Sequence, residues 1–241
     1  MTRKTRNEQL LKLLAVLLIA FALKHFYSTA SVNELRWILT PTTFLVELVS
    51  GRTFFFEMHA GYMSSDRSFL IATSCAGVNF MIAAFLMLSL AKLWRRELSW
   101  KLLPAALAVS YVATIVANTV RISTALHLQN RGFDIASLSA NQLHRLEGIL
   151  IYFGFLLLLY WVSERATDQS DFSRKNGRVV NAARFVFPLF IYYAATLAMP
   201  LVTSIYRQDF ADTAFLEHSV FVLLAPLAVV APLTLIRTKF R

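Results

Sequence analysis

The chain has few of the residues on which several familiar enzyme classes depend. Cys75 is the only cysteine in 241 residues, so the chain has neither an internal disulfide nor a metal site built from several thiolates. No H-E-x-x-H or G-x-S-x-G motif occurs, which argues against the zinc proteases and serine hydrolases that carry these signatures. The sequence therefore predicts no metal and no cofactor.

Charged side chains are also scarce, at 16% of the chain, while 57% of the residues are hydrophobic. This composition predicts an all-α polytopic integral membrane protein. About six apolar segments approach the roughly 20 residues that a helix needs to cross a bilayer. Their approximate bounds are 10–27, 75–93, 102–120, 146–163, 185–203 and 217–236. We predict a single membrane domain over 1–241, with a core at about 10–163 and two further helices within about 185–236.

The basic residues predict how the chain is oriented in the membrane. Sixteen of the 24 Lys and Arg residues lie in the N-terminus, in the 92–101 and 164–184 loops, and in the C-terminus. Because Lys and Arg accumulate in cytoplasmic loops, both termini are predicted to be cytoplasmic. The same distribution explains much of the net charge of +10 without a nucleic-acid partner. The apolar segment 35–51, interrupted by Pro41, is predicted to be an interfacial or re-entrant helix on the outer side.

Three side chains of complementary chemistry fall at the outer ends of different predicted spans. Cys75 begins the second span, Arg121 ends the third, and His144 lies two residues before the fourth. A thiol, an imidazole and a guanidinium can serve as nucleophile, general acid/base and stabiliser of an oxyanion or a substrate. The topology therefore predicts a catalytic site at the outer membrane face.

The local sequence around these residues supports that prediction. Cys75 is expected at a helix N-terminus, which favours a thiolate. Residues Ser139–Gln142 fit a capping box, which places His144 in a first helical turn, where the neutral imidazole is favoured.

Two further side chains are predicted to support the site. Asn118 shares a helix face with Arg121 at i, i+3 spacing. Glu147 lies one turn after His144, where it is predicted to orient His144 or Arg121.

Simpler interpretations remain open for each residue. A lone cysteine in an apolar helix is often a small packed hydrophobe, and an arginine at a helix end often extends toward the membrane surface. Four other histidines occupy similar outer positions: His25, His59, His127 and His218. A small transporter is a further alternative, although the predicted spans lack the central ionisable residues typical of transporters. A non-catalytic membrane scaffold is the remaining alternative function.

Longer stretches around the three residues resemble one known family. SCAGVNFMIAAF at 74–85, NTVRI at 118–122 and HRLEGILIYF at 144–153 are similar, in that order, to the three motifs of the exosortase/archaeosortase family. The upstream LTPTTFLVELVSG at 39–51 and FFFEMHAGY at 54–62 resemble the exosortase K subgroup. The cysteine, arginine and histidine of these motifs, which are the proposed catalytic residues of the family, match Cys75, Arg121 and His144.

The resemblance implies a membrane-embedded cysteine transpeptidase or protease without a cofactor. Its expected substrates are exported proteins with a PEP-CTERM-like sorting tail, which consists of a short motif, a transmembrane helix and a basic cluster. Cleavage through a cysteine thioester would be followed by transfer to a lipid or cell-surface acceptor. The expected location is the bacterial inner membrane, with the active site at the periplasmic face.

Overall fold

The structure is a computed structural model that describes residues 3–131, 140–168, 186–196, 220 and 222–227. The chain divides into two compact units, residues 1–140 and 141–241. Helices make up most of the described chain, as the sequence predicts. The elements of the first unit are α1 (Arg3–Thr29), α2 (Arg36–Ser50), β1 (Phe54–Glu57), β2 (Gly61–Ser64), β3 (Leu70–Ile71), α3 (Val78–Trp94) and α4 (Leu102–Arg131). In the second unit, α5 (Ala140–Asp168) is followed by a shorter apolar helix, α6 (Val186–Thr196).

Four helical segments of the described chain are long and apolar enough to cross a membrane. They are Arg6–Thr29, Thr73–Trp94, Leu102–Gln129 and Arg145–Arg165. They confirm the first four predicted spans, and α6 lies within the fifth. The rest of the fifth span and most of the sixth lie outside the described residues.

Helix α3 is the centre of the first unit. It packs against α1 on one side and α4 on another, while α2 packs against α4. Most α3 side chains are buried, and Met81, Phe85 and Met87 are among the largest of the fully buried side chains. Because helices in a membrane associate mainly through close van der Waals packing, this burial fixes the position of α3 against its neighbours.

Helix α2 corresponds to the segment predicted as interfacial or re-entrant. Its 15 residues are too few to cross a bilayer, which needs about 20. One face, which includes Ile38, Leu39 and Val46, is buried, while Phe44 and Leu48 on the other face are largely exposed. The structure confirms the helix; its placement in or on the membrane remains a prediction.

Pro41 lies inside α2 and has no N–H to donate to the carbonyl of Trp37, four residues earlier. A hydroxyl from a different helix satisfies that carbonyl instead. The Tyr111 hydroxyl of α4 donates to Trp37 O over 2.7 Å, and the two rings stack with centroids 5.5 Å apart. The proline therefore creates a backbone acceptor through which α4 holds α2.

A small antiparallel sheet with the strand order β1-β2-β3 follows α2 and precedes α3 in the chain. The sequence pattern does not predict this sheet. It is tied to α2, because Glu47 Oε1 accepts a hydrogen bond from Phe54 N (2.7 Å) and the Tyr62 and Thr40 hydroxyls are 2.6 Å apart. At the β2–β3 turn, hydrogen bonds from Ser64 and Ser68 lower the pKa of the exposed Asp66 to about 2. The last strand leads directly into the turn that carries Cys75.

Changing Tyr111 to Phe tests whether α4 holds α2 through the carbonyl that Pro41 leaves free. Tyr111→Phe removes the hydroxyl that donates to Trp37 O and keeps the ring that stacks on Trp37. We expect a loss of about 1 kcal/mol of stability, the usual net value of one hydrogen bond. The measurement is the fraction of protein that stays monodisperse in maltoside detergent after heating.

Pro41→Ala provides the matched background for this measurement. Alanine restores an N–H that can reach Trp37 O, so Tyr111→Phe should cost less when Pro41→Ala is present. Equal losses in the two backgrounds would show that the hydroxyl does not substitute for the missing proline donor.

Candidate active site

Cys75 lies in a single 3-10 turn, Thr73–Cys75, that connects β3 to α3. The turn is closed by backbone hydrogen bonds from Cys75 N to Ala72 O (2.9 Å) and from Ala76 N to Thr73 O (3.0 Å). The α-helix itself begins only at Val78. Cys75 therefore lies three residues before α3, in the turn that opens the candidate membrane segment Thr73–Trp94 and thus at the start of the second predicted span.

Gly77 is the reason why the helix starts late. Its φ of 69° is in the left-handed region, which glycine enters without the steric cost that a side chain brings. This residue separates the 3-10 turn from α3 and leaves the Cys75 thiol partly exposed beside the helix start.

Arg121 is in direct contact with the thiol. Its Nη2 atom donates to Cys75 Sγ over 3.6 Å, so the structure brings together the first two predicted site residues. A guanidinium next to a sulfur stabilises negative charge on that sulfur. This contact places a stabilising cation at the predicted nucleophile.

The sequence predicts that Arg121 ends the third span, but the structure shows that the span continues beyond it. Helix α4 continues to Arg131, and its candidate membrane segment extends to Gln129. Buried apolar residues after Arg121, including Ile122 and Leu126, keep this last part of the helix packed. Arg121 is therefore held within a continuous helix rather than at a frayed end.

Asn118 contacts the same residue from one turn earlier on α4. Its Nδ2 atom donates to the Cys75 backbone carbonyl over 2.9 Å, and the side chain is fully buried. The predicted shared face of Asn118 and Arg121 is thus directed at Cys75. One side chain holds the backbone of the turn and the other contacts the sulfur.

The absence of a side chain at Gly77 makes room for Asn118. A Cβ built on Gly77 would approach the Asn118 amide, with Cγ at 2.9 Å and Oδ1 at 2.8 Å. Gly77 is therefore required both for its left-handed backbone and for the close approach of α4.

Helix α1 supplies two contacts that the sequence analysis missed. The Tyr27 hydroxyl donates to Thr73 O over 3.3 Å, and Lys24 Nζ donates to Asn79 Oδ1 over 3.0 Å. These contacts fall on either side of Cys75 in the sequence. The sequence feature that could have indicated these contacts is Lys24 itself, a lysine at the end of the first apolar segment that lies away from the basic N-terminus.

His144 and Glu147 lie on α5, in the second unit. His144 is the fifth residue of the helix, and its side chain lies outside the described residues, as does the predicted capping residue Ser139. Glu147 is buried, with 9% of its surface exposed. The roles predicted for both residues remain predictions.

No group of three or more His, Cys, Asp or Glu side chains within the described ranges is arranged to hold a metal ion. The chemistry visible on the first unit is that of a thiol, a guanidinium and hydrogen-bond donors. That set is suited to nucleophilic attack and charge stabilisation.

Comparison with known proteins gives one family. Residues 9–162 match the model of the transmembrane exosortases (Exosortase_EpsH), and all three motif stretches lie within this range. No curated protein and no solved structure matches the chain. With the four apolar helices, the match identifies a multi-pass membrane protein. It is to the family as a whole, so the K subgroup remains a prediction.

A double-mutant cycle tests the fit of Gly77 against Asn118. Gly77→Ala combines left-handed strain with a collision against the amide, and we expect it to cost about 2 kcal/mol or more. Asn118→Ala, which leaves Cys75 O without this donor, should cost about 1–3 kcal/mol. Because Asn118→Ala also removes the collision, the double variant should lose less than the sum. Thermal stability in detergent is the measurement.

Gly154→Ala is the matched control, because nothing lies within 4 Å of the Cβ that it adds on α5. It should be neutral or slightly stabilising, since alanine favours a helix over glycine by about 1 kcal/mol. Strict additivity of Gly77→Ala and Asn118→Ala would contradict the packing described here.

Proposed function

Because the chain belongs to the transmembrane exosortase family, we propose that it is a cysteine transpeptidase that removes the C-terminal sorting tail of exported proteins. The observation that carries the proposal is the 3.6 Å contact between Arg121 Nη2 and Cys75 Sγ. It joins two family motifs that are 46 residues apart in the chain. A packed structural cysteine has no need of a guanidinium, whereas a nucleophilic sulfur is stabilised by one.

The first half-reaction forms an acyl-enzyme on Cys75. The thiol proton passes to His144 as the sulfur attacks the scissile carbonyl, giving a tetrahedral oxyanion. The C–N bond then breaks, and His144 returns the proton to the leaving amine. The protein is left joined to Cys75 as a thioester, and the tail departs with a new amino terminus.

The second half-reaction transfers the protein. An amine of a lipid or cell-surface acceptor attacks the thioester carbonyl, and its proton passes to His144. The C–S bond breaks and the Cys75 sulfur leaves with the bonding electrons, to be protonated by His144. Water in place of the amine gives hydrolysis by the same sequence of steps.

Arg121 and Asn118 have different tasks in this mechanism. Arg121 stabilises negative charge, first on the sulfur that it contacts and then on the oxyanion that forms beside it. Asn118 acts as a positioning residue, because its hydrogen bond to Cys75 O fixes the backbone that carries the thiol. Glu147, one turn beyond His144, orients the imidazole.

The orientation of the protein matches the orientation of its substrates. We assign the enzyme to the bacterial inner membrane, with cytoplasmic termini and the site at the periplasmic face. A PEP-CTERM-like tail, whose basic cluster stays cytoplasmic by the same rule, would present its short motif at that face. Substrate and thiol then meet without either crossing the bilayer, and no nucleic acid takes part.

Replacement of the three motif residues tests the proposal in cells that lack the native gene. Cys75→Ala should abolish removal of the tail from an exported reporter that ends in a motif, an apolar helix and a basic cluster. Arg121→Gln should slow processing by about 10²–10³-fold, the usual effect of losing one oxyanion-stabilising donor. His144→Ala should also abolish it. The readout is the mass of the mature reporter.

Two matched variants control for folding and for nonspecific loss. Ser74→Ala changes the neighbour of the nucleophile, and His127→Ala removes an exposed histidine of α4; both should process normally. Full processing by Cys75→Ala protein at normal abundance would overturn the cysteine mechanism and favour a scaffold function.

A further inference from the structure

We propose that Lys24 is a substrate-binding residue that recognises a carboxylate in the sorting motif, next to the bond that Cys75 attacks. This inference rests on the proposed transpeptidase function and assigns to Lys24 the recognition of an acidic residue of the substrate.

Lys24 lies near the end of an apolar helix, at the level of the Cys75 turn. Its ammonium donates to the Asn79 side chain on the first turn of α3 (3.0 Å) and lies 5.7 Å from the centre of the Tyr27 ring. Tyr27, on the same face of α1, donates to Thr73 O within the turn. Both contacts direct this face of α1 toward the residues that flank Cys75.

The contacts of Lys24 leave its charge without an anion. An ammonium has three N–H donors, and the structure assigns one of them, to a neutral amide oxygen. No carboxylate in the part of the chain that the structure describes forms an ion pair with it. A cation within an apolar helix is costly unless it has a purpose or a counter-ion.

The direction of the Lys24 side chain favours a polypeptide partner over a lipid. A lysine that serves only as an anchor extends along the membrane normal to reach phosphates. Lys24 is instead half-buried, and its ammonium contacts Asn79 of α3, four residues after the nucleophile in the chain. A peptide bound at Cys75 in an extended form would pass this position within a few residues of its scissile bond.

The effect of the Lys24 charge on the Cys75 thiol can be measured without any substrate. Because Cys75 is the only cysteine, methanethiosulfonate reagents report on it alone. We compare its reaction rates with the anionic sulfonatoethyl reagent and the cationic trimethylammonioethyl reagent in phospholipid nanodiscs. A nearby cation should raise the anionic-to-cationic rate ratio. We expect Lys24→Gln to lower the ratio severalfold and Lys24→Arg to retain it.

Lys101→Gln is the matched control, because it removes an exposed lysine at the opposite end of the first unit. It should leave the ratio unchanged. An equal ratio in wild type and Lys24→Gln would overturn the proposal. So would an effect of Lys24→Gln seen in maltoside micelles but lost in phospholipid nanodiscs, since a lipid phosphate would then occupy Lys24.

The substrate arm compares two tailed reporters, one with a glutamate in the short motif and a changed one with glutamine at the same position. Wild-type enzyme should process the changed reporter more slowly, whereas Lys24→Gln enzyme should process both reporters at the same reduced rate. Lys24→Glu enzyme should prefer a reporter with lysine at that position. If Lys24→Gln distinguishes the two reporters as well as wild type does, the proposal fails. Processing that survives Cys75→Ala would instead refute the proposed function, whatever Lys24 does.

Discussion

The site depends on two side chains of one helix that reach the same residue of another segment. Asn118 and Arg121, one turn apart on α4, contact the backbone carbonyl and the sulfur of Cys75. Because both positions belong to one regular helix, the backbone atoms that carry the amide and the guanidinium keep a fixed separation. Asn118 therefore holds the backbone of Cys75 where Arg121 can reach the sulfur, and this places a cation beside the predicted nucleophile.

This arrangement also solves a problem of irregular backbone in an apolar protein. Outside regular helices, backbone carbonyls lose their usual partners, and an unsatisfied carbonyl in hydrocarbon is costly. Three backbone carbonyls accept a hydrogen bond from a side chain of another helix: Thr73 O from Tyr27, Cys75 O from Asn118 and Trp37 O from Tyr111. Thr73 O also accepts from Ala76 N. The same three hydrogen bonds join α1 and α4 to the turn and α2 to α4, so they satisfy the backbone and align the helices.

Much of this could be predicted from the sequence. Long apolar segments locate the membrane helices, because the thickness of a bilayer sets their length. The i, i+3 spacing of Asn118 and Arg121 predicts their common face. The start of α3 could not be read from hydrophobicity, since it is decided by the left-handed backbone of Gly77. The end of α4 extends past Arg121 because a polar residue inside a packed helix does not terminate it.

The β-sheet and the α1 contacts were missed for a different reason. Strands as short as Leu70–Ile71 carry almost no periodic signal. Lys24 and Tyr27 gain their importance only from residues about 50 positions later in the chain, which is a property of tertiary packing.

Trapping the acyl-enzyme on Cys75 is the most direct test of the cysteine mechanism. Enzyme expressed with the tailed reporter would be denatured rapidly in acid, digested and analysed by mass spectrometry for a peptide joined to Cys75. We expect a thioester between Cys75 and the new carboxyl end of the reporter, which hydroxylamine releases at neutral pH and which is lost in Cys75→Ala. Reporter processing with an acyl adduct on a different residue would contradict it.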